Sequence, residues 1–286
     1  MRLLQIDSHG HLSITKHLHD NIPAYAILSH TWEKDEEEEV TFTDMVKGSG
    51  KNKRGYIQIK FCKEQAVRSG LRFFWVDTCC INKSSDSELT EAIKSMFRWY
   101  QRATDCCIYL SDVSKDDAVI PKLSQPWESA FRRSRWFTRG WTLQQLLAPL
   151  SVKFFSVEGK LLGDKMTMKK IIHEITGISF RALEGRPLHR FTVKDRMSWA
   201  ENRSTTREED KVYFLLGTFA TPMTVIYGEG QQNAMTQLQR EIELRVAHKD
   251  TQFDGTGPPD ILVGIDETKP LSGPQRTLRR CRLSRR

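Results

Sequence analysis

The chain of 286 residues has no apolar run near the roughly 20 residues that a membrane-spanning helix needs. Its best candidate, residues 71–81, is broken by Arg72 and Asp77. The amino terminus turns polar at Gln5, before the apolar core of a secretory leader could build up, so a cytoplasmic location is expected. Catalytic and cofactor signatures are equally scarce. No G-x-S-x-G, H-E-x-x-H or G-x-G-x-x-G occurs, which leaves serine-hydrolase, zincin and Rossmann-type dinucleotide readings without a motif. Gly48-Ser-Gly-Lys51 fails as a phosphate loop because Met45 stands where the first glycine belongs. Cysteines number only six, with no C-x-x-C among them. Cys79-Cys80 and Cys106-Cys107 lie inside apolar runs and are expected to be buried free thiols, neighbours pointing to opposite faces of a strand. The pairs His9/His11 and His17/His19 have no Cys or carboxylate at zinc spacing, so no metal site is expected.

Charge of one sign is also missing from the body of the protein. The net charge is +8, but Arg276, Arg279, Arg280, Arg282, Arg285 and Arg286 supply six of those charges, leaving +2 for the rest. A basic surface for nucleic acid is therefore not expected outside the tail. Residues 33–39 hold six acids around Lys34 and read as a solvated loop.

What is present is an alternating pattern. Four runs rich in aromatic and β-branched residues, 25–30, 71–78, 106–112 and 152–156, read as strands covered on both faces. Ile59, Cys62 and Ala66 mark a helix ending at Gly70 between the first two runs. Leu89, Ile93, Met96, Phe97, Tyr100 and Ala103 mark a second helix, with Ser85 and Glu88 as a capping box. This alternation predicts an α/β fold with a parallel sheet and right-handed crossovers over residues 1–160. Helical patterns at 166–176, 193–201, 208–219 and 231–247 predict a helical extension over 161–250. From 251 to 286 the chain is Gly-, Pro- and Arg-rich and is expected to be disordered, the short apolar run 261–265 being the exception.

Ligands of open parallel sheets bind beyond the carboxyl ends of the strands. Ser29, His30, Thr31 and Trp32 follow the first expected strand, Asp77 and Thr78 the second, Ser111 and Asp112 the third. Together they form a candidate pocket with Trp32 as a stacking surface, although each polar group taken singly can also cap the following turn. The other dense segment runs from Ser134 to Pro149, with Arg135, Trp136, Arg139, Gly140, Trp141 and Gln145. Its arginines and tryptophans suit a phosphate or a base, or equally a protein partner. Core packing is the first reading for Trp141.

These residues resemble the fungal heterokaryon incompatibility (HET) domain. The matching segments are Tyr25-Ala-Ile-Leu-Ser-His-Thr-Trp32, Trp75-Val-Asp-Thr-Cys-Cys-Ile-Asn82, Met96-Phe-Arg-Trp-Tyr100, Tyr109-Leu-Ser-Asp112 and Ser134-Arg-Trp-Phe-Thr-Arg-Gly-Trp-Thr-Leu-Gln144. Arg196-Met-Ser-Trp-Ala200, Thr205-Thr-Arg-Glu-Glu-Asp210 and Tyr227-Gly-Glu-Gly230 extend the likeness to about residue 245. The resemblance implies a role in self/non-self recognition in which incompatible cells are killed. It also implies a TIR-like, flavodoxin-like sheet and partners that are either further copies or other HET or NLR-like death-pathway proteins. TIR domains serve as scaffolds or cleave NAD with a glutamate on the helix after a Trp-containing loop, which makes NAD the candidate cofactor here. The family pattern has Glu where this chain has Gln145, and an amide cannot act as a base or stabilise a ribosyl cation. Asp77 and Asp112 are the candidate substitutes. The segment 220–223 also departs from the pattern, so the helix before it is expected to end early.

Three roles follow from the resemblance. The leading one is a signalling protein that acts by assembly, with an NAD glycohydrolase using the strand-end cleft as the alternative. The third is a non-catalytic regulator of other HET proteins.

Overall fold

Strands that are apolar without alternation need cover on both faces, and the sheet of this protein provides it. A computed structural model describes residues 1–33, 35–116 and 127–251. Among these described residues lie seven strands, β1 (Leu4–Ile6), β2 (Leu12–Ile14), β3 (Ala26–His30), β4 (Phe73–Trp75), β5 (Asp105–Tyr109), β6 (Val152–Phe155) and β7 (Leu161–Asp164). Their order across the sheet is β2-β1-β4-β3-β5-β6-β7. The four expected strands form a central parallel block, β4-β3-β5-β6. Numbered along the chain, that block has the order 2-1-3-4 of flavodoxin-like sheets, with its switch point between β3 and β5.

Antiparallel strands extend the block on both edges, and the sequence pattern did not reveal them. The β1/β2 hairpin pairs with β4 on one side, and β7 returns against β6 on the other. Residues 161–164 thus belong to the sheet, and the run of helices starts only at Lys169. The second expected strand is also shorter than its apolar run. Val76 is followed by the helix Asp77–Cys80, so Cys79 and Cys80 sit on a helical turn and both are buried. Cys106 and Cys107 do alternate along β5, and both are still buried because every residue of β3 and β5 is enclosed.

Helices seal the sheet. Tyr56–Arg68 packs on β3, β4 and β5. Asp86–Arg102 anchors through Tyr100, whose hydroxyl donates to the Leu28 carbonyl at 2.7 Å, and through Trp99, edge-on to Trp75 with centroids 5.6 Å apart. Its amino end is capped by Ser85 Oγ, which accepts from the Glu88 amide. The Glu88 carboxylate does not close a box; it accepts from the Asn82 amide and pairs with Arg2.

The second half is held to the first by direct packing. The expected helix over 208–219 is two short ones, Asp210–Tyr213 and Leu216–Phe219, and the second ends where Ala220 turns left-handed with φ of 53°. Leu216–Phe219 packs on Asp86–Arg102 so closely that a Cβ at Gly217 would lie 2.2 Å from Phe97 Cβ. A single cluster of buried apolar residues runs from Met1 to Leu238. The last described helix is Gln231–Thr251; the tail expected beyond it lies outside the described residues.

Candidate functional site

A cavity of about 280 Å³ opens at the carboxyl end of β3. Five separate parts of the chain build it. The end of β3 supplies His30, Thr31 and Trp32, and the start of the short helix after β4 supplies Asp77. Arg139, Trp141 and Gln145 come from the turn and helix around Thr142–Leu147. Arg207, Asp210 and Tyr227 come from the helical half, and Ile93 and Met96 form an apolar wall.

Asp77 organises the strand-end wall. Its Oδ2 accepts from Trp32 Nε1 at 2.9 Å, while Oδ1 is buried and has no hydrogen-bond partner among the described residues. His30 lies behind it, enclosed, with Nδ1 3.8 Å from Asp77 Oδ1 and Nε2 3.9 Å from Glu39 Oε1. Burial alone would lower the His30 pKa, but Glu39 and Asp77 outweigh it and hold the ring above its ordinary value. Glu39 is held below its ordinary value for the reciprocal reason: burial opposes its charge, and His30 more than compensates. The Lys83 ammonium lies 3.6 Å from the centre of the half-exposed Trp32 ring, a cation–π contact at the cavity mouth.

The opposite wall centres on Asp210, which is almost wholly enclosed. Tyr227 Oη donates to its Oδ1 at 2.8 Å and Trp141 Nε1 to its Oδ2 at 3.2 Å. Burial nevertheless raises its pKa, the two hydrogen bonds offsetting only part of that cost. Arg207 lies over the Tyr227 ring at 4.1 Å, and Arg139 Nη2 donates to Thr206 at 3.2 Å. Three carboxylates (Glu36, Asp77 and Asp210), three cations (Lys83, Arg139 and Arg207) and three aromatic rings (Trp32, Trp141 and Tyr227) therefore border one small space. That set suits a polar ligand carrying a ring and a charge, and the volume is at the lower bound of the roughly 300–1,000 Å³ typical of small-molecule sites.

Some expected site residues do other work. Ser29 is fully enclosed; its Oγ donates to Gln145 Oε1 at 2.5 Å and accepts from Trp136 Nε1 at 2.8 Å. Gln145 therefore borders the cavity with its amide oxygen already engaged. Trp136, rather than Trp141, is the core tryptophan, while Trp141 lines the cavity. Thr78 is buried in its helix, and Ser111 meets Thr31 at 3.5 Å without lining the cavity. Asp112 caps a turn: it accepts from Ser134 Oγ at 2.7 Å and the Arg135 amide at 2.8 Å, with the Arg135 side chain 3.8 Å away. Gly140 is needed for close approach, since a Cβ there would lie 2.5 Å from both Phe214 Cδ1 and Thr205 Cγ2. That contact brings the Arg139–Thr142 turn against the helical half.

Asp210, Arg207 and Tyr227 were absent from the sequence-based pocket. They lie in the segments 205–210 and 227–230 that carry the family resemblance, which was the available signal. Glu209 joins these segments by accepting from the amides of Gly228 at 2.7 Å and Gly230 at 3.3 Å. Among the described residues no group of three or more His, Cys, Asp or Glu is placed to hold a metal ion. Nor is any of their helices long and apolar enough to cross a membrane.

The profile of the family described as heterokaryon incompatibility protein (HET) matches residues 25–129. Vegetative incompatibility protein HET-E-1 of Podospora anserina is 51% identical over 243 residues, which is 85% of this chain and 18% of that protein. The chain thus spans under a fifth of the length of this relative. No solved structure matches it.

Proposed function

Because the chain carries a heterokaryon incompatibility domain, we propose that it promotes cell death in vegetative incompatibility and that the cavity beyond β3 is the part through which it acts. The observation that carries this reading is convergence. The family profile ends at residue 129, yet Arg139, Trp141, Gln145, Arg207, Asp210 and Tyr227 meet His30, Trp32 and Asp77 around one cavity. A shared core explains why distant segments pack together, but not why they place charged and aromatic groups around a common space. The 2-1-3-4 order of the parallel strands supports kinship with TIR folds, and through it action by assembly with further copies or with other death-pathway proteins. The test is inducible expression in a filamentous fungus with viability as the readout. Wild type is expected to kill and Asp77→Asn, at equal protein level, to spare the cells. Killing by both would remove the cavity from the reading, and survival with wild type would remove the reading itself.

One observation favours a second reading, cleavage of NAD at the same place. Asp77 and Asp210 provide two carboxylates beside aromatic rings and arginines although Gln145 is an amide. A cavity of this size would hold one nucleoside half, leaving the remainder outside. Release of nicotinamide by concentrated wild-type protein, lost in Asp77→Asn, is expected if this reading is right. No release from the wild type would sink it.

A further inference from the structure

A second and larger concavity, about 1130 Å³, lies apart from the candidate site, between the helix Asp86–Arg102 and the helical half. Its walls are apolar, formed by Phe97, Leu150, Leu188, Phe219 and Ile242, and Leu150 is 81% exposed. Its rim is cationic, with Lys94, Arg98, Arg186, Arg196 and Arg245, and among the described residues no carboxylate lines it. Two hydroxyls on its lining, Thr218 Oγ1 and Thr221 Oγ1, are buried without a hydrogen-bond partner among the described residues. An apolar groove with a rim of one sign and unpaired donors in its wall fits an extended segment with an apolar centre and acidic ends.

The chain itself contains such a segment. Ile242 and Arg245 belong to the helix Gln231–Thr251, the last described element before residues 252–286. Residues 252–268 hold Asp254, Asp260, Asp266 and Glu267 and no Lys or Arg, and the acids at 260, 266 and 267 bracket the apolar run 261–265. The nine residues 252–260 can span up to about 30 Å, ample to turn back past the final turns of that helix. We infer that the groove is a docking site for residues 260–267 of the same chain, the apolar run on its walls and the acids against its cationic rim. Covalent attachment makes this a local event: a short tether holds the segment at an effective concentration of about millimolar, so modest complementarity suffices.

Hydrogen–deuterium exchange of the full chain tests this. Amides 261–265 are expected to exchange at least about tenfold more slowly than in the free peptide of residues 258–268, at any protein concentration. Arg98→Glu with Arg186→Glu, both exposed positions, is expected to return them to the free-peptide rate. Adding Asp266→Lys and Glu267→Lys to that variant is expected to restore protection. Leu262→Asp in the otherwise unchanged chain is expected to empty the groove, so that the added peptide binds this variant and not wild type. Free-peptide exchange in the wild type would overturn the proposal, as would protection indifferent to the arginine changes. Protection that grows with concentration would overturn it in favour of the segment of a second copy.

Discussion

Replacing Gln145 by glutamate restores the residue of the family pattern and places a carboxyl in a site built for an amide. The side chain is 3% exposed, and the donor that meets its Oε1 is the Ser29 hydroxyl, whose own oxygen is occupied by Trp136 Nε1. A carboxylate there is desolvated with one hydroxyl donor, a setting that raises a carboxyl pKa by about 2 from its unfolded value near 4.3. The sign follows from linkage. The folded state then holds a proton that the unfolded state has lost, so the variant loses stability as pH rises above about 4.3 and the loss levels off above about 6.3. At about 1.4 kcal/mol per pH unit, Gln145→Glu is expected to cost about 1 kcal/mol at pH 5 and about 3 kcal/mol at pH 8. Urea unfolding of variant and wild type at both pH values measures this, provided the slope with denaturant is unchanged. An equal loss at the two pH values, or a gain at pH 8, would refute the reasoning; the latter would mean that a cavity cation such as Arg139 neutralises the new charge.

Two further outcomes follow from the packing. Lys165 is 2% exposed, its ammonium donating to the carbonyls of Pro149 at 2.6 Å and Leu146 at 3.3 Å, and burial pulls its pKa from 10.5 down to about 8. Between those values the unfolded chain holds a proton that the folded chain lacks, so wild type should gain about 3 kcal/mol relative to Lys165→Met as pH rises from 8 to 10.5, with a flat difference below pH 8. A difference constant across that window in urea unfolding would contradict it. Gly140→Ala forces a methyl to within 2.5 Å of Phe214 and Thr205 and is expected to cost about 2 kcal/mol, seen as a fall in Tm of about 5 °C. A fall below about 1 °C would mean that the helical half is not pressed against that turn.

The parallel block was legible because strands enclosed on both faces leave unbroken runs of β-formers, as in Ala26–His30. The edge strands β1, β2 and β7 were not, since three or four residues carry no readable period. Half of the candidate site followed from topology alone: polar groups at the end of β3 and at Asp77 had to face the switch point. Polarity could not separate Asp112, which caps a turn, from Asp77, which lines the cavity; only the position of the Ser134–Arg135 backbone does that. Nor could it place Asp210 beside Trp141, because the stretch between them, a separation of 69 positions, contains no local pattern that reports the fold-back. Trp136 and Trp141 differ in the same way: one hydrogen bond to Ser29 takes the first into the core, and the bond to Asp210 turns the second toward the cavity.

All five cysteines among the described residues are free and buried, spread over the helix Tyr56–Arg68, the turn after β4, and β5. Burial lifts the thiols of Cys62 and Cys106 well above their ordinary value and that of Cys107 to about 12. An alkylating reagent needs an exposed thiolate, so it meets these sulfurs only when the sheet opens. Their rates of modification therefore record how often each part of the central block comes apart, without any added label. A ligand or partner that tightens the fold would register as slower labelling even if it altered no other signal.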